Sequence, residues 1–459
     1  MILPILSAAL GIIAFLPFKY LYIFGFLFLV PFFVFLVREN RFWRLVLGAF
    51  IFIIIFSLGT VYFTLEPITW LASALIFLGL PISIFSVKKF LKPINNYRLL
   101  IALPLLWTIF THLQAQYSPL PIYIIAAGNI FGSSPFLGMA NFGGLLGLTF
   151  FAAALNALTA ILVLKIKTLN SKFYILNSLI IAALIIAGWQ ISQFQLRKNS
   201  LIYNNFKNPI EITAVSVNKN FSEQDLQKVK NELSDKNADL IIFPEDILNY
   251  SNPNNQMTLL MSDLAKELKK NLIAVFDTYQ NGKKYNSAVL FNEKGEIIDI
   301  YNKNRLTFIG EYWPFKNWRP FFFDLALKTN PEFRNFAVFS NQNYQKGGEK
   351  RLFEINRAKF AAPICLEIHY PYDLKKFKEM GARFIVNQSS NRWLDIGTKH
   401  YLYLINNLRR VEAVWLKIPI VSSGVNDYAG IITPDGEADL VNYESGNKNF
   451  NIKHFKLSI

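Results

Sequence analysis

Cysteine, histidine and acidic side chains are all scarce in this chain of 459 residues. There is one cysteine, Cys365, so no intramolecular disulfide can form. A lone thiol of this kind is either an inert small hydrophobe or a reactive group that needs help from its neighbours. The four histidines, His112, His369, His400 and His454, stand at no spacing that suggests a metal site. Asp and Glu together number 31 against 47 Lys and Arg, a formal net charge of +16. There is no internal repeat and no low-complexity tract, which excludes solenoid and tandem-array folds.

Charge is also nearly absent from the first 194 residues, and apolar runs take its place. A hydrocarbon core about 30 Å thick needs roughly 20 apolar residues per helix. Runs of that kind fall near 2–18, 20–37, 44–63, 68–86, 98–116, 144–166 and 173–194. They predict about seven membrane helices, the first one short and closed by Pro17. The basic residues lie beside these runs and not in a nucleic-acid stripe. Arg38, Arg41 and Arg44 follow the second run, Lys88, Lys89, Lys92 and Arg98 the fourth, and Lys165, Lys167 and Lys172 the sixth. The positive-inside rule then places the N terminus in the cytoplasm and everything after the seventh run outside. Arg197 and Lys198 run against this pattern but are outweighed. One stretch, from Leu113 to Gly143, has no charge, many Gly and Pro breaks and apolar pieces too short to span. It reads either as a re-entrant or interfacial segment on the outer side or as an ordinary outer loop.

From Gln195 the text becomes mixed and charge-rich. EITAVSV, DLIIF, NLIAVFDTY, YNSAVLF, EIIDIY, KFAAPICLE and RFIVNQSS read as strands. SEQDLQKVKNELSDK, opened by a capping box at Ser222, MTLLMSDLAKELKK and KHYLYLINNLRRVEAVWLK read as helices. The expected architecture is an N-terminal polytopic α-helical membrane domain, residues 1–194, followed by an extracytoplasmic α/β domain, residues 195–459. Three apolar strands end on a chemically useful group: DLIIFPED on Glu245, EIIDIYNK on Lys303, KFAAPICLE on Cys365. Ligands in α/β sheets lie beyond the carboxyl ends of strands, so the three could converge. Taken singly, each has an ordinary structural explanation as a cap, a solvated charge or a core thiol.

Glu, Lys and Cys in this order resemble the signature of the carbon–nitrogen hydrolase (nitrilase) superfamily. With membrane helices ahead of them, the chain resembles its membrane-bound branch, the apolipoprotein N-acyltransferases of the bacterial inner membrane. SAALGIIAFLPF is similar to that family's opening helix and FLGMANFGGLLGLTF to the entry of its sixth. IIFPED matches its base motif, YNKNRLTFIGEYWPF its lysine motif and PICLEI its nucleophile motif. Lys303 and Glu311 keep the family's spacing of eight, and Arg409 and Glu412 in RRVEA match its arginine–glutamate helix. The resemblance implies a nitrilase-like αββα sandwich. It also implies Cys365 as nucleophile, Glu245 as general base, Lys303 as stabiliser of an oxyanion, and Glu311 and Glu367 as support for the oxyanion site. The implied partners are a phospholipid acyl donor, a diacylated lipoprotein acceptor and the bilayer, with no nucleic acid, no metal or organic cofactor, and a monomeric chain.

The chemistry is coherent without the resemblance. A free thiol near pKa 8.5 becomes a nucleophile only beside a base or a cation. The aromatic segment EYWPFKNWRPFFFDLAL, with Trp313, Trp318 and Phe322, reads as an arm that touches lipid, or else as an aromatic core. A membrane-tethered amidase with the same trio is the nearest rival; a Cys365–His369 dyad or a non-catalytic scaffold or transporter explains less. Departures from the family are Leu366 where it has tyrosine, Phe243 where it has tryptophan, SSNRWLD at its Ser-Asn-Asp-Ala-Trp stretch, and the polar NFNIKHFKLSI where it has a further membrane helix.

Overall fold

The computed structural model describes all residues except 63–70, 72–73, 91–95, 119–122, 166–170, 206–208, 249–255, 316–317, 321, 330–333, 335, 341–342, 395–396 and 445–448. The chain separates into two compact units: Met1–Asn199 with Lys399–Trp415, and Ser200–Thr398 with Leu416–Ile459. The boundary expected after residue 194 thus shifts to Asn199. In addition, one helix read from the sequence as part of the C-terminal domain belongs with the first unit.

The first unit contains α1 (Ile2–Phe15), α2 (Val30–Arg38), α3 (Phe42–Thr60), α4 (Gly79–Phe90), α5 (Asn96–Tyr117), α6 (Gly144–Lys165) and α7 (Ser171–Asn204). Among the described residues five segments are long and apolar enough to cross a membrane: Leu21–Arg38, Phe42–Thr60, Leu99–Tyr117, Gly144–Lys165 and Tyr174–Asn204. Of the seven expected runs, the first forms α1, whose 14 residues fall short of a full span. The run at 68–86 lies partly outside the described residues, and α4 is its described end.

Leu21–Arg38 begins as a 3-10 turn, so some of its backbone groups lack helical partners. Asn156 of α6, fully buried, supplies them: its side chain donates to the Gly25 carbonyl (2.9 Å) and accepts from the Leu29 N–H (2.9 Å). Irregular backbone survives at membrane depth only with such internal partners.

The charge-free segment becomes a chain of 3-10 turns at Tyr123–Ile125, Ala127–Ser133 and Leu137–Phe142, largely buried. The helix that joins this unit from far along the sequence runs from Thr398 to Leu416, and its residues Lys399–Trp415 pack against those turns. Asn129 donates to the Leu404 carbonyl (3.0 Å), and Ser133 bonds to Asn407. Glycine is required where the backbones meet. A Cβ at Gly132 would lie 2.5 Å from the Asn407 carbonyl oxygen, and one at Gly138 2.1 Å from that of Ser192. The glycines that break the hydropathy pattern are therefore contact points.

Among its described residues the second unit has twelve hydrogen-bonded strands: β1 (Pro209–Val217), β2 (Leu240–Glu245), β3 (Asn271–Gln280), β4 (Lys283–Phe291), β5 (Ile297–Asn302), β6 (Phe353–Ile355), β7 (Ala358–Ala361), β8 (Phe384–Ser390), β9 (Ile420–Val425), β10 (Tyr428–Ile432), β11 (Ala438–Asn442) and β12 (Phe450–Ser458). Their order is β5-β4-β3-β2-β1-β9-β8-β7-β6, with β10 and β11 continuing from β9 and β12 pairing β1. Central neighbours such as β1–β2, β2–β3 and β8–β9 are parallel, while β3–β4–β5 form antiparallel hairpins. All six residues of β2 are buried, as expected for a parallel strand covered on both faces.

Helices 223–234 and 256–268 cover one half of the sheet through Leu226, Val229, Leu233, Met261, Leu264 and Leu268. Helix 371–379 lies against Tyr301 through Phe377. This is the αββα arrangement the resemblance implied. The capping box is present as read: Ser222 accepts from the Asp225 N–H and Asp225 accepts from that of Ser222.

Glu412, on the helix at Thr398–Leu416, is fully buried, and neither of its oxygens has a hydrogen-bond partner among the described residues. Burial raises its carboxyl from 4.5 to about 8. The folded state therefore binds a proton that the unfolded state releases, and stability is lost as pH rises from 4.5 towards 8. Glu412→Gln should raise the thermal midpoint at pH 8.5, by an amount that fades towards pH 5; equal melting curves for both proteins across that range would contradict this account.

Candidate active site

Glu245, Lys303 and Cys365 come from three separate strand ends and meet in the second unit, the first two buried and Cys365 half-buried. Glu245 is the last residue of β2. Lys303 follows β5, its N–H donating to the Asn286 carbonyl of β4 (2.9 Å), which extends the β4–β5 ladder by one rung. Cys365 opens a 3-10 turn, Cys365–His369, shortly after β7. Glu245 is 7 % and Lys303 1 % exposed, so their charges are compensated by each other and not by water.

The contacts are specific. Lys303 Nζ lies 2.8 Å from Glu311 Oε1 and 3.6 Å from Glu245 Oε1. Asn286 Nδ2 donates to both carboxylates, at 2.7 Å to Glu245 Oε1 and 2.7 Å to Glu311 Oε1. The Ser390 N–H, at the end of β8, donates to Glu245 Oε2 (2.9 Å). The Cys365 thiol lies beside Glu245 and the Ser390 N–H.

Cys365 sits on a left-handed bend, at φ 47°. That conformation costs a non-glycine residue of order 1–2 kcal/mol, so its surroundings must hold it. Asn387 donates to the Cys365 and Pro363 carbonyls (3.2 Å each). Glu367 accepts from the N–H groups of Ile364 (2.8 Å), Asn304 (2.8 Å) and Arg305 (3.1 Å) and from the Tyr301 hydroxyl (2.8 Å). One carboxylate therefore ties the cysteine turn to the loop that carries Lys303.

Burial and neighbouring charge push the ionisable groups apart. Burial raises the Glu245 carboxyl; Lys303 opposes the rise and the Glu311 charge adds to it. Glu311 is a little more exposed, and Lys303, the Thr307 N–H and Asn286 hold it below the ordinary range. Burial disfavours the Lys303 ammonium, but Glu311 and Glu245 more than compensate and keep it charged. Burial pushes the Cys365 thiol well up, Glu245 pushes it further, and Lys303 pulls it down. Two carboxylates separated in this way divide the labour: Glu311 remains an anion paired to Lys303, while Glu245 can hold a proton.

Glu311 and Glu367, implied as support for the oxyanion site, both act here as acceptors that hold other groups in place. Glu311 anchors Lys303, and Glu367 braces the turn. The aromatic segment also divides. Trp313 is buried, donating its indole N–H to the Trp318 carbonyl (2.8 Å), so it forms the core of the segment. Trp318 is 60 %, Phe315 51 % and Tyr312 42 % exposed. The Phe322 side chain lies outside the described residues. Asn286 was missed because YNSAVLF reads simply as a strand. The available signal was a polar side chain within a run of buried residues, which in a sheet has to be satisfied by a partner.

Residues 211–428 match the sequence model of the carbon–nitrogen hydrolases. Among curated proteins the chain is similar to the apolipoprotein N-acyltransferase of Aquifex aeolicus, 28 % identical over 208 residues, covering 44 % of this chain and 42 % of that one. It is likewise similar to the apolipoprotein N-acyltransferase of Haemophilus influenzae, 27 % identical over 315 residues. That alignment covers 63 % of this chain and 56 % of the relative, more than the residues after position 194 can supply, so it extends into the helical region. The glutamine-dependent NAD(+) synthetase of Acinetobacter baylyi is 25 % identical over 239 residues, 49 % of this chain and 38 % of its own length. In each case the match spans less than two thirds of the relative.

Substituting Glu367→Gln replaces one acceptor oxygen by an amide that cannot accept. Stranding a buried donor costs about 1–3 kcal/mol, so the variant should unfold at lower denaturant and alkylate more slowly at Cys365. Unchanged denaturation and alkylation would remove Glu367 from the scaffold.

Proposed function

We propose that this chain, a carbon–nitrogen hydrolase of the apolipoprotein N-acyltransferase type, moves a fatty acyl chain from a phospholipid to an amine through Cys365. The observation that carries this reading is the buried contact of Glu245, Lys303 and Cys365 in a chain that also has five apolar helices of membrane-spanning length among its described residues. A soluble amidase needs the first feature but not the second.

The chemistry follows in two steps. Glu245 takes the thiol proton, and the sulfur attacks the ester carbonyl of the donor lipid. Lys303 stabilises the oxyanion that forms. The carbon–oxygen bond breaks, the lysophospholipid leaves with the proton from Glu245, and the acyl group remains as a thioester. An amine then attacks that thioester, Glu245 accepts its proton, and the carbon–sulfur bond breaks to regenerate the thiolate. The acceptor is the α-amine of a lipoprotein's diacylglyceryl-cysteine, and the order of events gives ping-pong kinetics. The reading includes a bacterial inner-membrane setting, a cytoplasmic N terminus and an extracytoplasmic catalytic unit, the orientation resting on the placement of basic residues.

The exposed Tyr312, Phe315 and Trp318 follow directly on Glu311 and are suited to the lipid interface, where aromatic rings beside Arg319 are favoured. A Phe315→Asp, Trp318→Asp double variant should lose activity on vesicles while retaining Cys365 alkylation by a small soluble reagent. Undiminished activity on vesicles would end the proposal that this segment meets lipid.

The direct test incubates the purified protein with acyl-labelled phospholipid. A label on the wild type that is released by hydroxylamine and absent from Cys365→Ser supports the thioester; a label that persists in Cys365→Ser defeats it. Adding a diacylated lipopeptide should transfer the label to its amine. Release of the label to water, or of ammonia from amide substrates without lipid labelling, would favour an amidase instead.

A further inference from the structure

Among the described residues Asn286 is the one neutral side chain that hydrogen-bonds to both Glu245 and Glu311. Its single amide nitrogen lies 2.7 Å from Glu245 Oε1 and 2.7 Å from Glu311 Oε1, so it uses both hydrogens and brings the two acids to a common point. It is held firmly: the residue is buried in β4, opposite Asp277 of β3, and its carbonyl receives the Lys303 N–H. Lys303 faces the same two oxygens from the other element, nearer to Glu311 than to Glu245. The cation is therefore committed to Glu311, and the nearest donor on the base Oε1 is an uncharged amide.

We propose that Asn286 is a positioning residue for the thiol–carboxylate pair. By occupying Glu245 Oε1, as the Ser390 N–H occupies Oε2, it fixes the plane of the carboxylate that the thiol meets. The reason lies in the plane of the carboxylate. A carboxylate held at one oxygen can still turn about its last bond. Held at Oε1 by Asn286 and at Oε2 by a backbone N–H, it cannot turn without losing a bond in a buried site. The same placement keeps Lys303 from moving onto the base. If it did, the base would become too weak an acceptor for the thiol proton, because a cation in direct contact favours the charged form of a carboxylate.

The groups that face Glu245 are Lys303, Glu311, Asn286, Cys365, the Ser390 N–H and the adjacent Asp246. Apart from Cys365 itself, Asn286 is the one side chain among them that can be altered without changing the number of charges. Its loss removes a donor from the ionised form of Glu245, so the pair should release its first proton at higher pH.

The test needs no lipid substrate. It rests on the pocket and is independent of the acyl-transfer reading, so failure of one leaves the other standing. Full-length protein in detergent is treated with iodoacetamide across pH 5 to 10. In that reaction the thiol proton passes to Glu245 and the sulfur displaces iodide. Asn286→Ala is expected to move the midpoint of the alkylation profile up by about one pH unit, a roughly tenfold slower reaction below the midpoint. Asn286→Ser, which keeps one donor, should fall between it and the wild type. Glu311→Gln, which frees Lys303, should move the midpoint the other way. A wild-type midpoint in folded Asn286→Ala would overturn the proposal. Should that variant not fold, a wild-type midpoint in Asn286→Ser would overturn it equally.

Discussion

One ammonium shared by two buried carboxylates governs the second unit. Lys303, Glu245 and Glu311 together carry one negative charge more than they can cancel, and they lie almost out of reach of water. A buried excess of that kind is costly, so Glu245 holds a proton more readily than a free carboxylate does. When that proton comes from Cys365 the net charge is unchanged, and the excess moves from the carboxylate onto the sulfur. The rest of the unit follows from keeping that transfer short: three strands must end together, and the left-handed turn at Cys365 must be held by Asn387 and Glu367.

Glu245 and Glu311 show how chemically identical groups are set to different tasks by position. Each is buried, and each receives a hydrogen bond from Asn286. Glu311 also receives the closer approach of Lys303 and the Thr307 N–H, so it remains an anion. Glu245 has the more distant cation and lies beside a thiol, so it can gain and lose a proton. Exchanging these two environments would give a strong ion pair beside an unactivated sulfur.

Much of the site was legible in the sequence because strand ends are. Apolar runs that stop at Glu245, Lys303 and Cys365 state where a sheet delivers polar groups, and the spacing from Lys303 to Glu311 fixes the fourth. What the residues around those groups do was not legible. Asn286 sits inside a strand whose pattern gives no hint of which residue it faces across the sheet. Glu367 looks like a further acid near the nucleophile until its four donors are seen. Trp313 and Trp318 are alike in the sequence, yet one is core and the other surface. In the helical unit, hydropathy located most of the spans, whereas the helix of Thr398–Leu416, read with the C-terminal domain, groups with the helical unit. Its amphipathic pattern requires an apolar partner without saying which, and the partner is a glycine-rich stretch that resembles a loop.

That pairing bears on how the chain is made. Asn129 and the Leu404 carbonyl that receives it are 275 residues apart. At about 5–20 residues per second, a ribosome needs on the order of tens of seconds to supply the second after the first. For that interval the turns around Ala127–Ser133 exist without the backbone they are shaped to meet. The helical unit is therefore a late product of synthesis, and the first two hundred residues expressed alone would lack one of its inner walls.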